Sequence, residues 1–172
     1  MAEPTSTAAP AGKLVIRNVG LMLSGRMEEP VLDADCLVAI DGKIHAWGRE
    51  GDLDTGGAAT VIDAMGVTLA PGLIDSHVHP VVGDYTPRQQ QLHWIDSTLH
   101  GGVTTLISAG EVHMPGRPKD IVGLKAMAIA AQRWYENFRP SGVKVKAGAP
   151  VIEPGMEEHD FAELAKAGVT LP

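Results

Sequence analysis

From Leu73 onward the chain alternates short aliphatic runs with longer amphipathic stretches, and that rhythm admits few folds. Leu73 to His79 reads as a strand. Thr86 can cap and Pro87 can open a helix with Leu92, Ile95 and Leu99 on one face, stopped at Gly101–Gly102. Val103 to Ile107 is the next strand. Pro118 to Phe138 follows as a helix whose Ile121, Leu124, Ala128, Ala131, Tyr135 and Phe138 recur every three or four residues. Val143 to Lys146 is a third strand, Glu157 to Ala167 a third helix ended by Gly168, and Val169–Thr170–Leu171 opens a fourth strand. Strand–helix alternation of this kind builds a parallel sheet, because parallel neighbours need a crossover helix between them. A closed eight-stranded α/β barrel takes about 250 residues, and residues 71–172 supply roughly one hundred. An open four-stranded sheet would leave a parallel edge bare, which proteins avoid. The pattern therefore predicts the first half of a (β/α)₈ (TIM) barrel, strands one to about four, completed by another chain or by a further C-terminal part.

Residues 13–70 have a different texture. Leu14–Ile16, Cys36–Ile40, Lys43–Trp47 and Val61–Asp63 are short strand candidates. Asp41–Gly42 between two of them is the signal of a two-residue hairpin, since both turn positions need positive φ. These pieces predict a β-sandwich portion ahead of the barrel. Residues 1–12 lack the positive start and apolar run of a secretory signal and read as a disordered lead. Of the 172 residues 44% are hydrophobic and 20% charged, a globular balance. Fourteen basic against twenty-one acidic residues give a net charge of −7, with no basic stripe for nucleic acid or an anionic membrane. The single cysteine, Cys36, can form no internal disulfide, and no stretch reaches the roughly 20 apolar residues of a membrane helix, so a cytoplasmic protein is expected.

The most informative chemistry lies in PGLIDSHVHP, residues 71–80. On a strand, side chains alternate faces, so His77 and His79 point the same way, about 6.6 Å apart at roughly 3.3 Å per residue. Asp75 shares that face one step deeper. The pair ends the first barrel-like strand, and barrel enzymes carry their reacting groups at that end. Two imidazoles on one strand can bind a single Zn²⁺, Fe²⁺ or similar ion. They can equally be two buried histidines bonded to backbone carbonyls.

PGLIDSHVHP after a β-rich segment and before a βα series resembles the signature of the amidohydrolase superfamily. GDYTPRQ, LHGGVTTLISAG, PGRPKD and SGVKVKAGA extend the likeness to its enamidase-like branch, whose members open a cyclic amide ring. The resemblance implies metal-dependent hydrolysis of a cyclic amide or related C–N bond, with His77 and His79 as metal ligands and one or two divalent ions, zinc, iron or manganese, per complete site. It further implies that a bridging carboxylate, later histidines and a catalytic Asp lie beyond Pro172, so this chain holds no catalytic base of its own. The expected partner is a second polypeptide or missing C-terminal part carrying barrel strands four to eight, in an oligomeric assembly. His113, after the second barrel strand, matches a histidine of the pattern and is a substrate-contact candidate.

Other residues are weighed from the sequence itself. Arg117 can act as a bidentate donor to a substrate carboxylate, although an Arg before Pro at a helix start is commonly structural. Glu111 is a weaker candidate. His93 and His100 fall on a helix that packs outside the barrel, and His45 and His159 lie away from its mouth. Lys144 and Lys146 sit one strand too early to be the modified lysine of some superfamily members. A non-catalytic interaction or regulatory subunit that keeps this fold stands as the alternative.

Overall fold

The computed structural model describes residues 12–80, 91–110 and 116–171, with backbone alone at 91–93. Thr86, Pro87, Glu111, His113 and residues 1–11 of the expected lead therefore lie outside the described residues, as do the side chains of Leu92 and His93. The chain divides into two compact units, one ending at Pro71 and one starting at Gly72.

Among its described residues the first unit holds seven short strands: β1 (Lys13–Arg17), β2 (Leu21–Leu23), β3 (Val31–Leu32), β4 (Cys36–Ile40), β5 (Lys43–Gly48), β6 (Thr60–Asp63) and β7 (Thr68–Leu69). One sheet has the order β5-β4-β1-β6 and a second the order β3-β2-β7, each mixing parallel and antiparallel pairs. The hairpin between β4 and β5 forms where Asp41–Gly42 predicts it, with φ of 51° and 74° at the two turn residues. Both angles are positive, the requirement of the turn whose twist matches that of the strands. Val15, Cys36 and Val38 are buried together. Burial pushes the Cys36 thiol up from its ordinary range, with Glu50 and Asp35 adding to the effect, so the thiol is inert packing. Leu14, Ile16 and Leu37 of one sheet and Met22, Leu32 and Leu69 of the other line an apolar cleft of about 420 Å³.

The second unit is built from β8 (Leu73–Val78), α1 (Gln91–His100), β9 (Val103–Ser108), α2 (Ile121–Asn137), β10 (Lys144–Lys146) and α3 (Glu158–Lys166). The three strands pair in parallel in the order β10-β9-β8. Val78, Leu106 and Val145 from the three strands meet Ile95 of α1 and Ala131 and Tyr135 of α2 in one core. Leu124, Ala128, Ala131 and Tyr135 give α2 its buried stripe, at the three-or-four spacing read in the sequence. That helix starts later than Pro118, because the Asp120 carboxylate caps it by accepting the Gly123 N–H at 2.8 Å.

The expected fourth strand at Val169–Leu171 is not formed among the described residues. The Val169 N–H bonds the Leu164 carbonyl and the Gly168 N–H bonds Ala165, closing the end of α3. Val169 is committed to that cap, with its side chain buried against Ala128 and Leu164. Among the described residues the parallel sheet therefore has three strands and is not closed.

An ionic cluster ties α3 to α2. Lys125 Nζ lies 2.6 Å from Asp160 Oδ1 and 2.7 Å from Glu163 Oε2, while the other Asp160 oxygen accepts the Glu157 N–H at the start of α3. Asp160 is only 2% exposed, so an unpartnered charge there would be costly. The Lys125 bond holds the Asp160 carboxyl below its ordinary range, and the same bond raises the Lys125 ammonium. Asp160 thus contributes stability that is present above the unfolded carboxylate pKa of about 4 and is lost as pH falls through its lowered native value. Lys125→Met should lower the thermal midpoint at pH 7 and flatten its decline on acidification, measured in a buffer series from neutral to acid. In the same unit Leu106→Ala, at a fully buried position, should cost about 2–5 kcal/mol in urea unfolding. Val122→Ala, at a site 74% exposed, should stay within about 0.5 kcal/mol.

Candidate metal centre

The histidine pair is delivered by β8, and its geometry depends on how β8 pairs with β9. Leu73 to Ile74 is one step on β8, but their partners Val103 and Thr105 are two apart on β9. Further along, Asp75 and Val78 are three apart while their partners Leu106 and Ser108 are two apart. The first irregularity gives β9 an extra residue at Thr104. The second gives β8 an extra residue within Ser76–His77. Bulges of this kind re-aim side chains and favour the neighbourhood of functional sites.

The two rings come together with centroids 5.2 Å apart and planes at 88°. That is closer than simple strand spacing implies, and it keeps both imidazoles on one side as the sequence predicts. His77 is exposed and His79 half-buried. Asp75 does not reach outward as a third ligand. Its Oδ1 accepts the His77 backbone N–H at 3.0 Å and braces the extra residue of the bulge. His79 Nδ1 sits 3.0 Å from the Gly110 carbonyl oxygen. A carbonyl only accepts, so Nδ1 carries the proton and Nε2 carries the lone pair of the neutral ring. Histidines that ligate metals are commonly oriented by this bond, with the remote nitrogen turned to the ion. The donor chemistry thus suits a divalent ion, and two imidazoles alone do not complete its coordination. Among the described residues no group of three or more His, Cys, Asp or Glu side chains gathers around a common point.

The other sequence candidates are scattered or engaged. Arg117 precedes α2 on the segment that leaves the C-terminal end of β9. Its guanidinium is paired with Glu153, on the segment that follows β10, and Nη1 donates to the Pro118 carbonyl at 3.3 Å. Both partners are largely buried, at 17% and 23% exposure. Glu153 escaped sequence reading, because nothing in EPG marks a carboxylate aimed at a residue thirty-six positions earlier. His113 and Glu111 lie outside the described residues. His45, His100 and His159 are exposed, and Lys144 and Lys146 point away from the core on either side of buried Val145. The Gly110 carbonyl, the partner of His79 Nδ1, is a backbone group that no side-chain pattern marks.

No protein-family model matches the chain. Enamidase of Eubacterium barkeri is 53% identical over 157 residues, covering 91% of this chain and 41% of the enamidase. An adenine deaminase of Deinococcus deserti is 31% identical over 144 residues, 83% of this chain and 22% of that protein. The crystal structure of enamidase, described as a member of the amidohydrolase superfamily, superposes with a TM-score of 0.85 at 52% identity, over 92% of this chain and 41% of that one. A prolidase-like structure from Bifidobacterium longum, 19% identical, shares the fold with a TM-score of 0.56 over 92% of this chain and 39% of its own. In sequence and in structure the chain matches the N-terminal part of an amidohydrolase-superfamily enzyme. Enamidase is such an enzyme, identical to this chain at just over half of the aligned positions, and the chain spans about two fifths of that relative's length.

One local contact is directly testable. A Cβ on Gly72 would fall 2.0 Å from Thr104 Oγ1 and 2.4 Å from its Cγ2, opposite the extra residue of β9. Gly72→Ala must therefore force the two strands apart, at a cost of about 1–3 kcal/mol in denaturant unfolding.

Proposed function

We propose that this chain is the N-terminal portion of a metal-dependent amidohydrolase that hydrolyses a cyclic amide or a related C–N bond. Residues 13–70 form its β-sandwich portion and residues 71–172 the first part of its (β/α)₈ barrel. His77 and His79 hold a divalent ion, with zinc the first choice and iron or manganese compatible with imidazole donors. The observation that carries this reading is the paired rings at the end of a parallel strand, one of them oriented through Nδ1 by a backbone carbonyl. An ion held there supplies polarisation of a substrate carbonyl and acidification of water. The chain's own residues place the ligands: Asp75 braces the bulge, and Gly110 orients His79. Arg117 and His113 are proposed to face substrate. A substrate carboxylate reaching Arg117 would have to share the guanidinium with Glu153 or displace it.

The bridging carboxylate, the remaining histidines and the acid–base aspartate come from barrel strands four to eight, on a second polypeptide or a C-terminal continuation. Two observations support a completing part. Among the described residues β8 and β10 each pair with β9 alone, and parallel sheets are ordinarily covered on both sides. Leu73 and Ile74 on β8 are 59% and 63% exposed, an apolar edge of the kind that recruits another strand.

Native mass spectrometry of the purified protein tests the assembly. A companion of about 20–30 kDa, the remainder of a barrel of roughly 250 residues with closing strands, is expected. A folded, metal-free monomer at 18.1 kDa would overturn the reading. In the complete assembly, His77→Ala with His79→Ala should abolish both stoichiometric metal, read by elemental analysis, and turnover of cyclic amides. Retention of both in that variant would remove the site assignment.

A further inference from the structure

His79 owes its orientation to the Gly110 carbonyl, which raises the question of what orients Gly110. Its φ is 133°, a left-handed conformation that a side chain rarely adopts, so the local sequence does not hold the peptide there by preference. A buried hydroxyl reaches this peptide, that of Ser108, the last residue of β9 and only 4% exposed. Ser108 Oγ accepts the Gly110 N–H at 3.2 Å. On the strand side, the Ala109 N–H bonds the Val78 carbonyl at 2.8 Å, and Ser108 is the register partner of Val78. The turn from 108 to 110 is thus tied to β8 at one end and pinned by a buried hydroxyl at the other, and its carbonyl emerges toward the ring of His79.

Resting on the reading of His79 as a metal ligand, we propose that Ser108 is a positioning residue for that ligand. By fixing the Gly110 amide, it holds the Gly110 carbonyl where it accepts the His79 Nδ1 proton, and so selects the tautomer that presents Nε2. Ser108 works through one backbone residue, in the way outer partners of metal-ligating histidines set ring orientation and basicity. Without the hydroxyl the Gly110 peptide can turn, and the preference between the two neutral tautomers of His79 weakens.

The test uses the complete assembly, purified with this chain labelled with ¹⁵N-histidine. Long-range ¹H–¹⁵N correlation spectra above the histidine titration range report which ring nitrogen of His79 carries the proton, in the absence of metal. Zn²⁺ alone is then titrated against a chromophoric chelator. The unsubstituted protein should show a single Nδ1–H tautomer at His79. Ser108→Ala should show a mixture of tautomers and about tenfold weaker zinc binding, and Ser108→Thr, which keeps the hydroxyl, should restore both. If Ser108→Ala does not fold, Ser108→Cys, of similar size with a poor acceptor, takes its place. An unchanged tautomer and affinity in a folded Ala or Cys variant would overturn the proposal, as would a loss that Thr does not restore, which would assign the effect to packing. Failure of the metal reading itself looks different: zinc would then shift neither His77 nor His79 in the unsubstituted protein, whatever Ser108 does to the tautomer.

Discussion

The parallel pairing of Leu73–Val78 with Val103–Ser108 is the contact on which the second unit depends. It places Val78 and Leu106 in the shared core, and its two register irregularities decide where the histidines go. A regular ladder would set His77 and His79 at the plain spacing of alternate strand residues. The extra residue on β8, braced by Asp75, draws their rings to 5.2 Å instead. The extra residue on β9 is accommodated because Gly72 offers no side chain where Thr104 sits. The same pairing brings Ser108 level with Val78, so the turn that follows β9 meets the ring that follows β8.

Around that contact the unit is held by ordinary means. A buried helical stripe on α2 covers the sheet, and the Lys125–Asp160–Glu163 cluster fastens α3 to α2 while the same Asp160 carboxylate completes the cap of α3. A cluster serving two elements at once is hard to relax piecemeal, which is why its protonation is a stability matter as well as a local one. Arg117 and Glu153 do the corresponding work for the segments leaving β9 and β10, and they couple a residue predicted to meet substrate to a carboxylate far away in sequence. Any group that meets the Arg117 guanidinium meets the Glu153 carboxylate as well.

Much of this was legible in the chain. The alternation after Leu73 marks the three strands and three helices found among the described residues of the second unit, and the Asp41–Gly42 turn marks the hairpin of the first. Each rests on local chemistry: periodicity, capping residues and the need for positive φ. The pieces that sequence reading misplaced share a cause. The short strands β2, β3 and β7 have two or three residues each, too few to show a period, and exist only because partners hold them. Val169–Leu171 has the composition of a strand, yet its first N–H closes a helix.

The sequence by itself determined the strand–helix alternation after Leu73, the ends of α2 and α3 to within a turn and the identity of the two imidazoles, because these follow from interactions between near neighbours. Tertiary structure alone decided the register of β8 against β9, the tautomer imposed on His79, the Ser108–Gly110 brace and the Arg117–Glu153 pair. Apart from the Ser108–Gly110 brace, which spans two residues and gains its place from the strand before it, each of these is a contact between segments separated by many residues, set by which backbone groups find one another when the strands pack, and no local pattern of side chains encodes that choice.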